Sequence, residues 1–464
     1  MECRSRTGIP LHPSKNHIMK RFTHILIYIL TISLSLALLY SCMDSKAHTQ
    51  FYSAYDAHNI PELLERNAGL GSPEERQNSL NIYAGLKNEL KKDHMNIDAR
   101  LKLIQLFMLE ARVGGEHGYY YPKALEQIEI ILSFSPPKED RFYALSLKSA
   151  ILLSLHKFPQ AMAVATEARE LNPYNAQIHG ALVDAFVELG DYKSAVETSD
   201  KMVSLRPDLR SYARVSYLRE IHGDVEGAIE AMQRAVQAAY PGYEESAWCR
   251  LTLGNLYENY GRIEEARMQY EQILKERTDY PFAIAALGDL AAKEGKYEEA
   301  KELLEKASTF IPEFSFYESL IGVYAELGME EKANSTLEEV LLMLEDDTEK
   351  GHNMGMEFAR LYLEELKDYD KALSYALEEA RSRPENIDIN KLLAAIYYKK
   401  GQWELAQNHI EKAGITQSND PEFLALKGLI MRENGDKEDA KQLLKKALDS
   451  NPFLPEIWLE EIEG

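Results

Sequence analysis

A phrase that returns ten times decides most of what this chain can become. Aligned on an alanine, its copies fall at Ala124, Ala161, Ala195, Ala228, Ala266, Ala300, Ala333, Ala372, Ala406 and Ala440, in steps of 37, 34, 33, 38, 34, 33, 39, 34 and 34 residues. Five residues before the alanine a glycine stands in seven copies: Gly190, Gly223, Gly261, Gly295, Gly328, Gly401 and Gly435. Three before it an aromatic recurs as Tyr121, Phe158, Tyr192, Tyr297, Tyr369 and Trp403. Twelve after it comes Pro136, Pro173, Pro207, Pro312, Pro384 or Pro452. Each anchor has a physical reason. Glycine ends a first helix because it alone enters the left-handed conformation cheaply. The alanine lets a second helix approach the first, and the aromatic seals their elbow with a large apolar area. Proline stops the second helix.

Further positions agree. A small residue of the first helix stands twelve before the alanine as Gly254, Gly288, Ala394 and Gly428, and a large apolar one nine before it as Phe186, Tyr257, Tyr324 and Tyr397. His156 and Lys367 replace the turn glycine, and Glu330 and Lys437 replace the aromatic. Period and anchors together resemble the tetratricopeptide repeat, a helix–turn–helix unit of about 34 residues. The resemblance covers residues 98–452, about ten units. It implies an all-α fold, an α-solenoid of stacked units forming a right-handed superhelix. A solenoid grows one unit at a time with a continuous core, so the length does not require several compact domains.

In that family the first helices line a concave groove that takes extended peptides or partner helices. Carried over by position, the groove of the middle units holds Asp184 and Glu188, then Arg210 and Tyr217, then Trp248, Asn255 and Asn259, then Phe282, Asp289 and Lys293. Trp, Tyr and Arg dominate many interfaces, and Asn can pair a peptide backbone without choosing its sequence. The plainer alternative is that Trp248 and Phe282 seal contacts between units. A clamp for a terminal carboxylate is not expected, because Asn255 stands alone between Leu251 and Glu258.

Residues 19–42 read as a basic start (Met19-Lys20-Arg21), an apolar run from Ile25 to Leu39, then Tyr40-Ser41-Cys42. The run is short for a spanning helix and suits a secretory signal. Leu39-Tyr40-Ser41-Cys42 is similar to the lipobox of bacterial lipoproteins, which implies lipidation of Cys42. Residues 1–41 are therefore expected to be a signal peptide, with Met19 as an alternative start, and residues 42–52 a tether. An uncleaved anchor is the competing reading, and both put the repeats outside the cytoplasm. Residues 53–97 are expected to form a divergent helical pair, from Ser53 to Arg66 and from Ser72 onward, and residues 453–464 a C-terminal cap. The two long steps locate insertions near Ala239–Tyr243 and Glu345–His352, expected as loops between units.

A formal charge of −22 speaks against nucleic acid as a partner. Acidity also keeps an open superhelix soluble. No His-Glu-x-x-His, paired Cys-x-x-Cys or phosphate-binding Gly-x-x-x-x-Gly-Lys-Ser/Thr pattern is present. Gly114 to Gly118 reads as a turn, since no strand precedes it, and Ser154-Leu155-His156-Lys157 lacks the partner motifs of acyl enzymes. Glu345, Asp346, Asp347 and His352 depart from the alternate spacing of a Ca²⁺ loop. Cys249 is expected as a small buried apolar group. Neither a metal nor a cofactor is expected, and no enzyme. The sequence points to a lipid-anchored interaction scaffold of the bacterial cell envelope with a protein partner. The runner-up is an accessory subunit of an envelope secretion, assembly or polysaccharide-export machine.

Overall fold

A computed structural model of the chain describes residues 58–67 and 70–463. Residues 60–464 form one compact unit. Among the described residues there are twenty-two α-helices and no strand. The segment 59–67 is not helical, which corrects the helix expected up to Arg66. It lies extended across the first helices instead: Leu64 N donates to the Tyr120 hydroxyl, and Arg66 is clamped by Glu110 and Glu75. The first helix, α1 (Pro73–Lys92), opens on Ser72, whose hydroxyl accepts from Glu75 N, with proline at its first turn.

Ten helical pairs follow. In chain order they are 97–114/117–133, 138–154/158–171, 176–188/192–205, 209–221/225–238, 244–259/263–276, 281–293/297–310, 314–326/330–349, 355–364/369–382, 387–399/403–413 and 421–433/437–450; we number them units 1 to 10. The repeated alanine is at most 1% exposed in nine units, Ala333 of unit 7 being half-buried. The small residues opposite it are needed for the same reason: a Cβ on Gly254 would stand 2.2 Å from the Tyr270 ring, and one on Gly428 2.8 Å from Leu444. Where glycine is missing from the turn, its conformation persists, with φ of 54° at His156 and 51° at Lys367. The packing of both helices over-determines the turn and outweighs a left-handed strain of roughly 1–2 kcal/mol.

The extra residues of unit 7 lengthen its second helix through Glu349, so only 350–354 remain as connection. This differs from the loop expected over 345–352: nothing in Leu344-Glu345-Asp346-Asp347-Thr348-Glu349 breaks a helix. A final helix, α22 (Glu456–Glu463) by chain order, closes the stack, with Trp458 2% exposed against the Tyr398 ring and its indole N–H donating to Glu422. No helix of the described residues is long and apolar enough to cross a membrane. The signal and lipidation motif, Cys42 included, lies outside the described residues.

The pitch of the solenoid is set by a seam between its turns. Five consecutive elbows, at residues 115, 156, 190, 223 and 261, rest on five consecutive unit junctions near 311, 353, 385, 417–419 and 450–451. The bonded partners stand 192 to 198 residues apart. Unit n therefore touches the junction that follows unit n + 5, and each superhelical turn lies directly on the next.

Candidate functional site

First helices pack on their own second helices, and those of units 1 to 4, of units 6 and 7 and of units 8 to 10 also touch one another. Side chains link the middle ones, Glu220 with Asn259 and Lys293 with Glu258, so their remaining faces share an inner surface. Tyr217, Asn255 and Asp289 hold the same register in units 4, 5 and 6, eleven residues before the alanine. Arg210, Trp248 and Phe282 share a second register seven residues, or two turns, earlier along each helix. The structure treats these six positions, and Asn259 beside them, unequally. Tyr217 is 39% and Trp248 46% exposed, and the Arg210 side chain is exposed beside a junction. Asn255 accepts from the Tyr270 hydroxyl at 2.8 Å. Phe282 is committed to packing, edge-on to Phe316 at 5.5 Å and tilted against Tyr280 at 5.7 Å. The alternative of an inter-unit seal describes Phe282, whereas Trp248 keeps an open face. Asn259 belongs to the seam, where its carbonyl accepts from the Asn451 amide at 3.0 Å.

Carboxyls dominate the inner surface. Glu188, Glu220, Asp289, Glu318 and Glu364 are each pushed up to about 7. Burial among the converging helices is the leading cause, and neighbouring negative charge adds to it: Asp388, Asp184 and Glu357 act on Glu188, and Asp420 and Asp388 on Glu220. Except for Asp184, which shares a helix with Glu188, those charges come from units on the other superhelical turn. Several nearby cations are engaged with other carboxylates: Arg214 with Asp184 at 2.5 Å, Lys293 with Glu258 at 2.5 Å, and Lys391 with Glu422 at 2.9 Å and Asp420 at 3.2 Å. Arg383, by contrast, pairs with Glu188 itself, and Arg360 acts on Glu318 and Glu364. Burial also pushes the Cys249 thiol up to about 12, so it stays protonated. It is fully buried, as a small apolar group would be.

Sequence reasoning missed the seam residues. The Asn386 amide donates to the carbonyl of Glu188 at 3.1 Å, that of Asn419 to Gly223 at 2.9 Å, and that of Asn451 to Glu258 and Asn259. Unit 7's junction does the same with backbone, Asn353 N donating to Leu155 O at 3.1 Å. The Glu188 and Asn259 carbonyls are ones that a helix end leaves without a backbone partner. Arg383, 6% exposed, reaches across the seam to Glu188 at 2.5 Å while paired with Glu379, and its guanidinium lies 4.6 Å from the Phe158 ring centre. An asparagine within a few residues of each late junction was the available signal. Beside the unit 7 junction, His117, His156 and His352 cluster, with ring centres 6.0 and 6.3 Å from His352. Burial, then the two neighbouring imidazoles, hold His352 down at about 4. Among the described residues no group of three or more ligating side chains is placed to hold a metal ion.

Comparison with known proteins gives the repeats a family. Two family models, both described as tetratricopeptide repeat, match residues 363–430 and residues 283–314 and 421–453. The TPR repeat-containing protein YpiA of Bacillus subtilis is 25% identical over 291 residues, 61% of this chain and 57% of that protein. Mouse tetratricopeptide repeat protein 36 is 32% identical over 127 residues, 27% of this chain and 62% of that one. The chain thus spans less than two thirds of the length of these relatives. A solved tetratricopeptide repeat protein from Parabacteroides merdae shares 15% identity, covering 66% of this chain and 99% of that one with a TM-score of 0.34. This chain is an α-solenoid that carries tetratricopeptide repeats, an architecture of protein–protein interaction scaffolds.

Proposed function

We propose that the protein is a membrane-anchored scaffold of the bacterial cell envelope that holds a cationic peptide or helix of a protein partner on its inner face. The observation that carries this reading is the lining itself. Five carboxyls of the first helices are pushed up to about 7, by burial first and by neighbouring carboxylates second. Among the described residues Glu220, Asp289, Glu318 and Glu364 have no ion-pair partner, while Arg214 and Lys391 are spent on other carboxylates. A positive side chain entering there relieves repulsion between carboxylates, which is electrostatic complementarity of the kind that sets partner choice. Tyr217 and Trp248 add exposed aromatic surface for a cation–π or apolar anchor. The Leu39-Tyr40-Ser41-Cys42 pattern supports the anchoring: a diacylglycerol on Cys42 supplies more than one acyl chain and so a stable attachment.

A lysine-rich peptide titrated against the protein, followed by Trp fluorescence, tests the groove. Binding is expected to weaken at least tenfold in the variant Glu220→Gln with Asp289→Asn. It is also expected to weaken as pH falls from 8 to 6, because protonating the carboxyls removes the attraction. Preference for an acidic peptide, or affinity indifferent to both the variant and the pH, refutes the reading. For the anchor, Cys42→Ala is expected to abolish lipid labelling; persistent labelling of that variant excludes lipidation at Cys42.

A further inference from the structure

We infer that the two open edges of the superhelix stack on one another between copies of this chain, repeating head to tail the seam that joins its own turns. The seam consumes only half of each kind of surface. Elbows of units 1 to 5 are covered, but a Cβ built on the elbow glycines Gly295, Gly328, Gly401 and Gly435 meets nothing within 4 Å. At the opposite edge, the junction after unit 2 carries Tyr174 and that after unit 4 carries Tyr240 and Tyr243, 76%, 80% and 64% exposed. The two edges are complementary because their internal counterparts are already bonded. Asn172-Pro173 copies Asn451-Pro452: each asparagine accepts from the backbone N–H two residues on, Tyr174 at 3.2 Å and Phe453 at 2.9 Å. Asn451 uses its amide across the seam, and no inter-turn contact is made by Asn172 among the described residues. Beside it a hollow of about 250 Å³, lined by Tyr174, Asn175, Leu205, Arg206 and Arg210, offers a seat for an elbow.

Such a contact joins different surfaces of the two copies, so it propagates rather than closing on a pair. The backbone approach is close: a Cβ on the covered Gly190 would stand 2.5 Å from the backbone of Glu385. Side chains added to the open elbows therefore block stacking without touching the fold. The net charge of −22 opposes association, and salt is expected to favour it by screening.

The test uses the full chain in mild detergent and two variants. Gly328→Asn with Gly401→Asn blocks the elbow edge, asparagine being tolerated in the left-handed conformation. Asn172→Asp blocks the junction edge by turning an amide donor into a carboxylate facing carbonyl oxygens. In sedimentation velocity at about 100 µM, a range in which weak stacking is populated, the unaltered chain is expected to form a concentration-dependent ladder beyond the dimer. Each variant alone stays monomeric with unchanged circular dichroism, and an equal mixture stops at the dimer. A monomeric unaltered chain overturns the proposal, as does a ladder in either variant alone or the absence of dimer in the mixture.

Discussion

The inner face and the seam are built from the same repeats, yet they handle polar groups in opposite ways. On the seam, nearly every polar atom that meets the other turn is answered: amides by carbonyls, Arg383 by Glu188 and Glu379. On the inner face, Glu220, Asp289, Glu318 and Glu364 have no ion-pair partner among the described residues and lie near other carboxylates. A satisfied buried network rigidifies, while a crowded line of like charges is poised for a ligand of the other sign. The same chain is thus closed where it contacts itself and electrostatically unfinished where the groove lies.

The sharpest way to break this contrast is to unpair the seam. Arg383→Ala leaves Glu379, 4% exposed, without its partner, and a loss of about 3 kcal/mol is expected. Urea unfolding should report it, and hydrogen exchange should quicken at 186–191 in unit 3, nearly two hundred residues away in sequence. Asn451→Asp comes next, at about 1–3 kcal/mol, with an increased radius of gyration in X-ray scattering as the last turn lifts from unit 5. Unchanged exchange at 257–262 in that variant contradicts the bridging role given to Asn451.

The two regions also differ in the sign of their pH response. His352 is held down at about 4 against an unfolded value near 6.5. It sits with His117 and His156, its Nδ1 is 4.0 Å from Asp347, Lys157 lies nearby, and Glu357 is 4.0 Å from His156. It stays neutral when folded, so its stabilisation is present above pH 6.5 and is lost as pH falls toward 4. The inner carboxyls, raised to about 7, contribute stability that is present at low pH and lost as pH rises through 7. Exchange at the unit 2 elbow should therefore quicken below pH 6, and His352→Gln should flatten that dependence. The smallest effect separates the groove from the seam: Asp289→Asn should raise the melting temperature at pH 8 by about 2 °C and by clearly less at pH 5, where only part of the 3.8-to-7 window has been crossed. An equal gain at both values shows that the Asp289 charge is not the cause.

What the sequence made legible was whatever the repeat encodes within itself. The elbow glycine, the sealed alanine and the small residue at Gly254 or Gly428 act over spacings of five to about sixteen residues, inside one helical pair, so each copy confirms the others. The seam depends on a small rotation between neighbours accumulated over five units, and no pairwise spacing records it. Asn386, Asn419 and Asn451 therefore look like ordinary turn residues until the pitch is known. The groove falls between. Register placed Tyr217, Asn255 and Asp289 on one face, but it could not show that Phe282 is consumed by Phe316 or that Asn259 lies under Asn451. Likewise Glu345 to Glu349 carry no helix-breaking residue, and the length of the step said more about insertion than about loop.

Turns that touch make this solenoid a close-wound spring. An open superhelix lengthens smoothly under a pull along its axis, each unit yielding a little. Here the four bonded joints of the seam act as a preload. Extension begins only once the pull exceeds what holds Asn386, Asn419, Asn451 and Arg383 to the turn below, and then proceeds joint by joint. Compression meets backbone at once, since Gly190, Gly223 and Gly261 leave no room for even a methyl group against the next turn. Under load such a chain is a stiff spacer up to a threshold force and a compliant one beyond it.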